Sequence, residues 1–139
     1  MEIIKILVSE WKKQGVELLL ENSLTEIHDA FTRSGRQPTL DVVELYSAIG
    51  GMREMENAAY WRLWSLEEIV ERNIEPSPYG ILFSDHLMDS WCYRLRSETD
   101  NRSSVCVDYF DSRKSPKKLF DGLEEFLIAY SKDPKEILK

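Results

Sequence analysis

Cysteine and histidine are scarce in this chain, which has only two of each among its 139 residues. Cys92 and Cys106 lie in separate apolar runs, so the chain lacks the cysteine density of a small disulfide-stapled secreted domain. It also contains no CxxC or HxxxH pair, the short ligand spacing that zinc sites usually show. These absences favour a protein of the reducing cytoplasm and argue against a structural zinc site.

Membrane-length apolar runs and basic clusters are missing as well. The apolar stretch within MEIIKILVSEW is too short to span a bilayer, and lysines follow it where a signal peptide would place them first. The formal net charge of -7 opposes binding to phosphate backbones and favours a basic partner, although an ordinary solvated acidic surface gives the same excess. We expect a cytoplasmic protein that binds neither nucleic acid nor membrane.

Catalytic signatures are equally sparse. Gly50-Gly51 lacks the following Lys-Ser/Thr and the GxGxxG frame of nucleotide loops, and Ser84 lacks the glycines of a nucleophile elbow. Asp85, His86 and Asp89 could form an acid–base or metal cluster, and His86 with a cysteine could suggest zinc. A strand-end Asp-His pair is more often a hydrogen-bonded turn, and neither cysteine has a basic setting that would activate a thiolate. The sequence therefore predicts no catalytic site and no cofactor.

Helical signals dominate the first third of the chain. Apolar residues between positions 3 and 11 recur at helical spacing, and Gly15 ends this predicted helix. Ser23 and Glu26 have the form of a capping box ahead of a second helix. Its apolar stripe includes His28, which we expect to be a hydrogen-bonded core residue rather than a base.

A third apolar stripe follows over residues 42–49. Gly50 stops it, and we expect this glycine in the left-handed conformation that caps helices without a Cβ penalty. A polar loop then leads to a short strand at 61–64, and Ser65 with Glu68 repeats the capping-box pattern ahead of another helix.

Strands dominate the second half. Apolar and alternating patterns predict three of them, at residues 81–84, 91–96 and 105–110. The polar segment 97–103 between the last two fits a hairpin loop. Ser115-Pro116 has the cap and first-turn proline of a final helix, with a predicted apolar face of Leu119, Leu123, Phe126, Leu127 and Tyr130.

This order of elements predicts an α+β fold, with helices packed against a mainly antiparallel sheet. The length suits a single domain over residues 1–139, and no linker, repeat or low-complexity tract divides it. The same order resembles one family across residues 20–132. The motifs that carry the resemblance are SLTEIHDAF, LYSAIGG, WRLWSLEEI, ILFSD, WCYRL, SVCVDYF and LFDGLEEFLIAY. They are similar to the SUKH superfamily, which includes fungal cell-wall-assembly regulators and many bacterial toxin-immunity proteins.

The resemblance implies a non-enzymatic protein-binding module, and the bacterial relatives are immunity proteins that block a cognate toxin. Many members place glycines with acidic residues after the strand that ILFSD matches, whereas this chain has HLMDS. An acidic protein suits a toxin with a basic surface, such as a nuclease that holds phosphate. Two alternatives stay open: a regulatory or scaffold domain that binds another cellular protein, and a cryptic hydrolase.

The residues expected to bind the partner are aromatic or acidic and lie around the predicted sheet. They are Trp61, Trp64, Asp85, Asp89, Trp91, Tyr93 and Asp108. Strand alternation also allows Trp64, Trp91 and Tyr93 to be core residues, whereas Trp61 follows a polar loop and is expected to be exposed. The residues with expected structural roles are Ser23, Gly50, Gly51 and Ser65.

Overall fold

A computed structural model describes residues 2–52, 61–75, 77–86 and 91–132, with the side chains of Trp61 and residues 130–132 left out of the description. The helices in these ranges are α1 (Glu2–Lys13), α2 (Leu24–Arg33), α3 (Leu40–Ala48), α4 (Leu66–Arg72) and α5 (Leu123–Lys132). The strands are β1 (Trp61–Leu63), β2 (Ile81–His86), β3 (Trp91–Ser97), β4 (Ser103–Asp108) and β5 (Lys117–Phe120). They form one antiparallel sheet in the order β1-β2-β3-β4-β5, which confirms the predicted α+β fold.

Two capping boxes determine where α2 and α4 begin. The Ser23 hydroxyl accepts from the Glu26 amide at 3.2 Å, and the Glu26 carboxylate accepts from the Ser23 amide at 2.9 Å. Ser65 and Glu68 repeat this exchange at 3.2 and 3.3 Å. Each cap satisfies two first-turn amides and contributes about 1 kcal/mol, so both predictions are confirmed.

The hairpin between β3 and β4 supplies hydrogen-bond acceptors for the first backbone amides of α3. The first two amides of the helix donate to the carbonyl oxygens of Asp100 and Asn101 at 2.9 and 3.2 Å. The buried Asp41 carboxylate accepts from the Val42 amide at 2.8 Å and from the Ser103 amide at 2.9 Å. This carboxylate therefore joins the first turn of α3 to the first residue of β4.

The core lies between one face of the sheet and the helices. Paired residues share a face of an antiparallel sheet, and one such row joins Tyr93 to Val107. The rings of Tyr93 and Phe83 pack on Phe126 of α5, with centroids 5.1 and 5.5 Å apart. Tyr46 of α3 is fully buried and donates its hydroxyl to the Trp64 carbonyl oxygen at 2.9 Å. Burial, reinforced by the negative charge of Glu68, raises the pKa of the Tyr46 phenol far above its ordinary value.

Helix α2 buries a different stripe from the one predicted. Ala30 and Phe31 are buried with Ile27, whereas His28 is exposed. The prediction of a core histidine is therefore wrong. Ile27 and Phe31 belong to two overlapping stripes of the same helical spacing, and the packed one continues through Ala30 to the buried Ser34.

The double glycine has a different role from the one predicted for Gly50. Helix α3 ends at Ala48, Ile49 is extended, and the positive φ of 115° belongs to Gly51. The prediction of a left-handed conformation at Gly50 is therefore wrong. A Cβ at Gly50 would lie 2.0 Å from the Leu20 carbonyl oxygen, so this glycine permits the close approach of two backbone segments.

Ser115-Pro116 does not begin the final helix, which is another correction. The residues after it form the edge strand β5, in which Lys117 pairs with Val107 of β4, and α5 starts only at Leu123. A proline just before an edge strand loses no ladder hydrogen bond, so the pattern fits a turn as well as a helix start. Leu123, Phe126 and Leu127 are buried as predicted, whereas Leu119 belongs to β5.

None of the helices in the described ranges is long and apolar enough to cross a bilayer. The hairpin loop between β3 and β4 is confirmed, although β4 begins at Ser103 and ends at Asp108, two residues earlier than predicted at each end. Strand β2 continues through Asp85 to His86. This extension brings His86 into the sheet, next to the first residues of β1 and β3.

Candidate functional site

Aromatic side chains gather at one end of the sheet. The register places His86 of β2 opposite Trp61 of β1 and Trp91 of β3. The rings of His86 and Trp91 stack, with centroids 4.6 Å apart and planes 9° apart. Tyr109, the residue after β4, has its ring centroid 6.0 Å from that of Trp91. We call His86, Trp91, Tyr109 and the adjacent Phe110 the aromatic end.

The aromatic end is open to solvent, and the Trp91 ring within it has a fixed orientation. Trp91 is half-buried, Tyr109 is 40% exposed and Phe110 is 52% exposed. The Trp91 indole N–H donates to the Tyr93 hydroxyl at 3.0 Å, which fixes the orientation of the indole. Large rings with a fixed orientation are the side chains that most often anchor protein interfaces.

Phe110 is presented by a strained backbone. Its φ of 56° is the one positive value at a non-glycine residue within the described ranges. This conformation disfavours a Cβ atom by roughly 1–2 kcal/mol. An Asx turn holds it, in which the Phe110 amide donates to Asp108 Oδ1 at 2.8 Å. The other carboxylate oxygen of Asp108 accepts from Arg94 Nε at 2.8 Å, so an ion pair fixes the turn that displays the ring.

Asp85 and Asp108, two of the residues expected to bind the partner, form ion pairs on the face of the sheet opposite to His86 and Trp91. Asp85 and Asp108 flank Cys92 in one row across β2, β3 and β4. Asp85 Oδ2 lies 3.6 Å from Arg62 Nη2, and Arg62 donates to both carboxylate oxygens of Glu68 at 2.8 and 2.6 Å. Asp85 is 2% exposed and Asp108 is 7% exposed, so they offer a partner almost no area.

The Arg62 guanidinium joins the Asp85 and Glu68 carboxylates into one charge network. Burial by itself lowers the pKa of Arg62, and the hydrogen bonds and negative charges of Glu68 and Asp85 outweigh that effect. The pKa of Arg62 is therefore raised, and its positive charge persists. The network neutralises charge within the fold and links β1, β2 and the first turn of α4.

The remaining predicted residues fall into two groups. Trp64 and Tyr93 are fully buried, as their alternative interpretation as core residues required. The guanidinium carbon of Arg72 lies 4.7 Å from the centroid of the Trp64 ring. Asp89 and the polar loop before β1 lie outside the described residues, as does the side chain of Trp61. The structure thus brings Trp91 and the backbone of Trp61 together in one row, and it places Trp64 in the core.

Sequence reasoning did not select His86, Tyr109 or Phe110 for the binding face. The signal for the last two was present, because an aspartate directly before two aromatic residues at a strand end favours an Asx turn. The sequence favours His86 as half of a hydrogen-bonded Asp-His turn, with a metal ligand or a base as the alternative. Its stacking on Trp91 depends on the register of β2 and β3, which the sequence alone does not determine.

The described part of the chain contains no group of three or more histidine, cysteine, aspartate or glutamate side chains that could hold a metal ion. Burial lowers the pKa of His86, which keeps its stacked ring neutral at physiological pH. Burial is also the main reason that the pKa of the Cys106 thiol is raised. The geometry around these groups therefore favours packing over nucleophilic chemistry.

The fold defines the class of this protein as an α+β domain built on an antiparallel sheet. Comparison of the chain with protein-family models gives no match, and no curated protein matches it. Function is therefore inferred from the residues and their geometry.

Proposed function

We propose that this chain is a non-enzymatic, cytoplasmic protein-binding module that acts as a toxin-neutralising immunity protein of a bacterial toxin system. The observation that carries the proposal is the exposed aromatic end. The Trp91 indole is oriented before any partner arrives by its stack on His86, and the Asx turn fixes the backbone that presents Phe110. Ordering a free side chain at an interface costs about 0.5–1.5 kcal/mol, so a fixed ring retains more of its burial energy for binding.

The charge of the chain supports a basic partner. A net charge of -7 attracts a positively charged protein over a distance of about one Debye length and raises the association rate. A nuclease toxin carries such a surface, because it must hold phosphate groups. The resemblance of residues 20–132 to the SUKH superfamily supports the same class of partner.

The net charge and the aromatic end affect different steps of binding. Long-range charge favours the encounter, and burial of the aromatic end then sets the lifetime of the complex. Phe110 is the expected centre, since it is the most exposed ring of the aromatic end and lies beside Tyr109. Trp91 contributes a broad indole surface whose position the sheet determines.

Co-expression with the toxin encoded by the neighbouring gene tests this proposal. The wild-type chain should restore growth, whereas Trp91→Ala and Phe110→Ala should each weaken toxin binding by about 2 kcal/mol, or roughly thirtyfold. Ile6→Ala is the matched control, because it truncates a side chain of α1 that is 58% exposed. Thermal unfolding of each purified variant separates lost binding from lost folding.

Failure of the folded wild-type chain to protect against, or bind, a neighbouring toxin would overturn the proposal. Binding of a non-toxin protein through the aromatic end would make the chain a regulatory or scaffold domain instead. Equal loss of protection in Ile6→Ala and Phe110→Ala would remove the aromatic end as the docking surface.

A further inference from the structure

A groove of about 600 Å³ lies between α2 and α4. The residues that line it from outside these two helices are Leu19, Leu20, Asn22, Gly50 and Ser65. It shares no residue with the aromatic end. The two helices contribute three apolar side chains to its walls: Ala30 and Leu66 are buried and Val70 is half-buried. This combination gives the groove an apolar base between two helices.

Leu20 stands at this groove with 87% of its surface exposed. The backbone on both sides of Leu20 is fixed by hydrogen bonds. The Gly50 amide donates to the Leu19 carbonyl oxygen at 3.0 Å, and the Asn22 amide donates to the Tyr46 carbonyl oxygen at 3.1 Å. With its backbone held in this way, the Leu20 side chain cannot turn into the core without breaking the pairing of the segment.

The walls of the groove carry an excess of negative charge. Glu26 and Asp29 come from α2, and Glu67 and Glu71 come from α4. Arg33 is the single cation among the lining residues and pairs with Asp29 at 3.2 Å. Four carboxylates against one guanidinium leave a charge of -3.

Glu67 and Glu71 add repulsion within α4, because like charges at i and i+4 on a helix destabilise it. Neither forms a salt bridge with a described residue. Both side chains are exposed, so their charges are available to a ligand. The spacing of Glu67 and Glu71 therefore destabilises α4 and favours a cationic ligand.

We propose that this groove binds a basic amphipathic helix of the protein partner, with an apolar side chain packed against Leu20, Leu66 and Val70 and with lysine or arginine side chains paired to the acidic walls. The inference rests on the proposed function only in requiring a protein partner. It assigns a second contact surface, which complements the aromatic end.

The dimensions of the groove suit a short helix better than a metal ion. The walls are helices of 10 and 7 residues, about 15 and 10 Å long, which matches roughly two turns of a docked helix. Its apolar positions would then face the groove at i, i+3 and i+4. A divalent cation needs several oxygen atoms within about 2.6 Å of its centre, and the described residues form no such group.

A synthetic peptide provides the probe. We would label a peptide of about 14 residues, roughly four helical turns, with leucine at helical spacing and lysine on the other face. A peptide with glutamine in place of every lysine is its neutral control. Fluorescence anisotropy measures binding to the wild-type chain, and amide chemical shifts show whether the peptide contacts α2 and α4.

The variant Glu67→Gln/Glu71→Gln should weaken binding about tenfold or more, because it removes two charges from one wall. Glu2→Gln/Glu124→Gln is the matched control, since it removes two charges from the first turns of α1 and α5. This control should change affinity less than about twofold. Leu20→Ser should also weaken binding, while the dependence of affinity on salt stays that of the wild type.

Equal losses in the two double variants would show that the peptide responds only to net charge, which would overturn the proposal. The same conclusion would follow from equal binding of the glutamine peptide, from shifts confined to the aromatic end, or from no binding at about 1 mM peptide. Toxin protection is a separate measurement. Protection lost in Trp91→Ala but unchanged in Glu67→Gln/Glu71→Gln would retain the proposed function and reject the groove.

Discussion

The side-chain amide of Asn73 binds the backbone of Leu82 as a neighbouring strand would. Asn73 Nδ2 donates to the Leu82 carbonyl oxygen at 2.8 Å, and the Leu82 amide donates to Asn73 Oδ1 at 2.8 Å. The same Nδ2 donates to the Ile69 carbonyl oxygen at 2.7 Å. Strand β1 pairs only with residues 84–86 of β2, so this side-chain amide satisfies the backbone of Leu82, which β1 does not reach.

Replacing Asn73 should therefore destabilise the fold. Asn73→Ala leaves the buried amide and carbonyl of Leu82 unsatisfied, which we expect to lower the free energy of unfolding by about 2–3 kcal/mol. Asn73→Asp should cost more at neutral pH, because it keeps the acceptor but sets a carboxylate against the Leu82 and Ile69 carbonyl oxygens. Urea denaturation measures both losses.

The control for Asn73 is its neighbour. Ile74→Ala changes a side chain that is 82% exposed, and we expect an effect within about 0.5 kcal/mol. Amide exchange at Leu82 should accelerate in Asn73→Ala and stay slow in Ile74→Ala. Equal stability of Asn73→Ala and the wild type would show that water replaces the side-chain amide without loss.

The sequence was most informative where structure depends on nearby residues. Both capping boxes, at Ser23 and Ser65, need only contacts three residues apart, and both are confirmed. The prediction for His28 was wrong because two overlapping stripes have the same spacing, and tertiary packing chose between them. The helix start at Ser115-Pro116 was wrong because β5 depends on pairing with β4, which no local pattern reveals.

The candidate site shows the same division. Trp91 was predicted as an interface residue because it is aromatic and lies at the sheet, with a core position as the alternative, and the structure leaves it half-buried. The ion pairs of Asp85 and Asp108 depend on which arginine lies across the sheet, which is a matter of register. The positive φ of Phe110 could not be predicted from residue type, since phenylalanine is a poor residue for that conformation.

Gly50 should not tolerate even one added methyl group. The Cβ of Gly50→Ala would lie 2.0 Å from the Leu20 carbonyl oxygen, a backbone atom that its own hydrogen-bonded segment holds in place. We expect a loss of about 3 kcal/mol or more in the free energy of unfolding. Gly122→Ala is the control, because the nearest atom to its Cβ is 3.6 Å away and its φ is not positive.

Chemical denaturation of these two glycine variants tests the close approach directly. Gly122→Ala should lie within about 0.5 kcal/mol of the wild type. A loss that is equally small for Gly50→Ala would mean that residues 19–22 move away from Gly50 at little cost. In that case Leu20 would not be fixed at the groove.

Stability should fall on mild acidification because of His86. Burial lowers the pKa of His86 below its ordinary value of about 6.5, so the unfolded chain binds a proton more tightly than the folded chain. The stabilisation is therefore complete above about pH 6.5 and is lost as the pH falls towards the lower folded-state pKa. Urea denaturation between about pH 7.5 and pH 5.5 measures it, in a range where most carboxylates stay ionised.

The variant His86→Phe keeps a ring against Trp91 and removes the titrating group, so this part of the pH dependence should disappear. His28→Gln changes the other histidine, on the exposed side of α2, and should retain the dependence. A pH dependence that His86→Phe leaves unchanged would assign the effect to another group.

The positive φ of Phe110 is expected to lower the stability of the fold while it keeps the phenyl ring exposed. A glycine takes a φ of 56° without the Cβ penalty, so Phe110→Gly should be more stable than Phe110→Ala by about 1 kcal/mol. At Tyr109, where φ is not positive, the order should reverse, because glycine loses more conformational entropy on folding than alanine. Both substitutions at Phe110 should weaken partner binding to the same extent, since both remove the ring. If Phe110→Gly gained no stability over Phe110→Ala, the backbone there would carry no strain, and the Asx turn alone would account for the exposed ring.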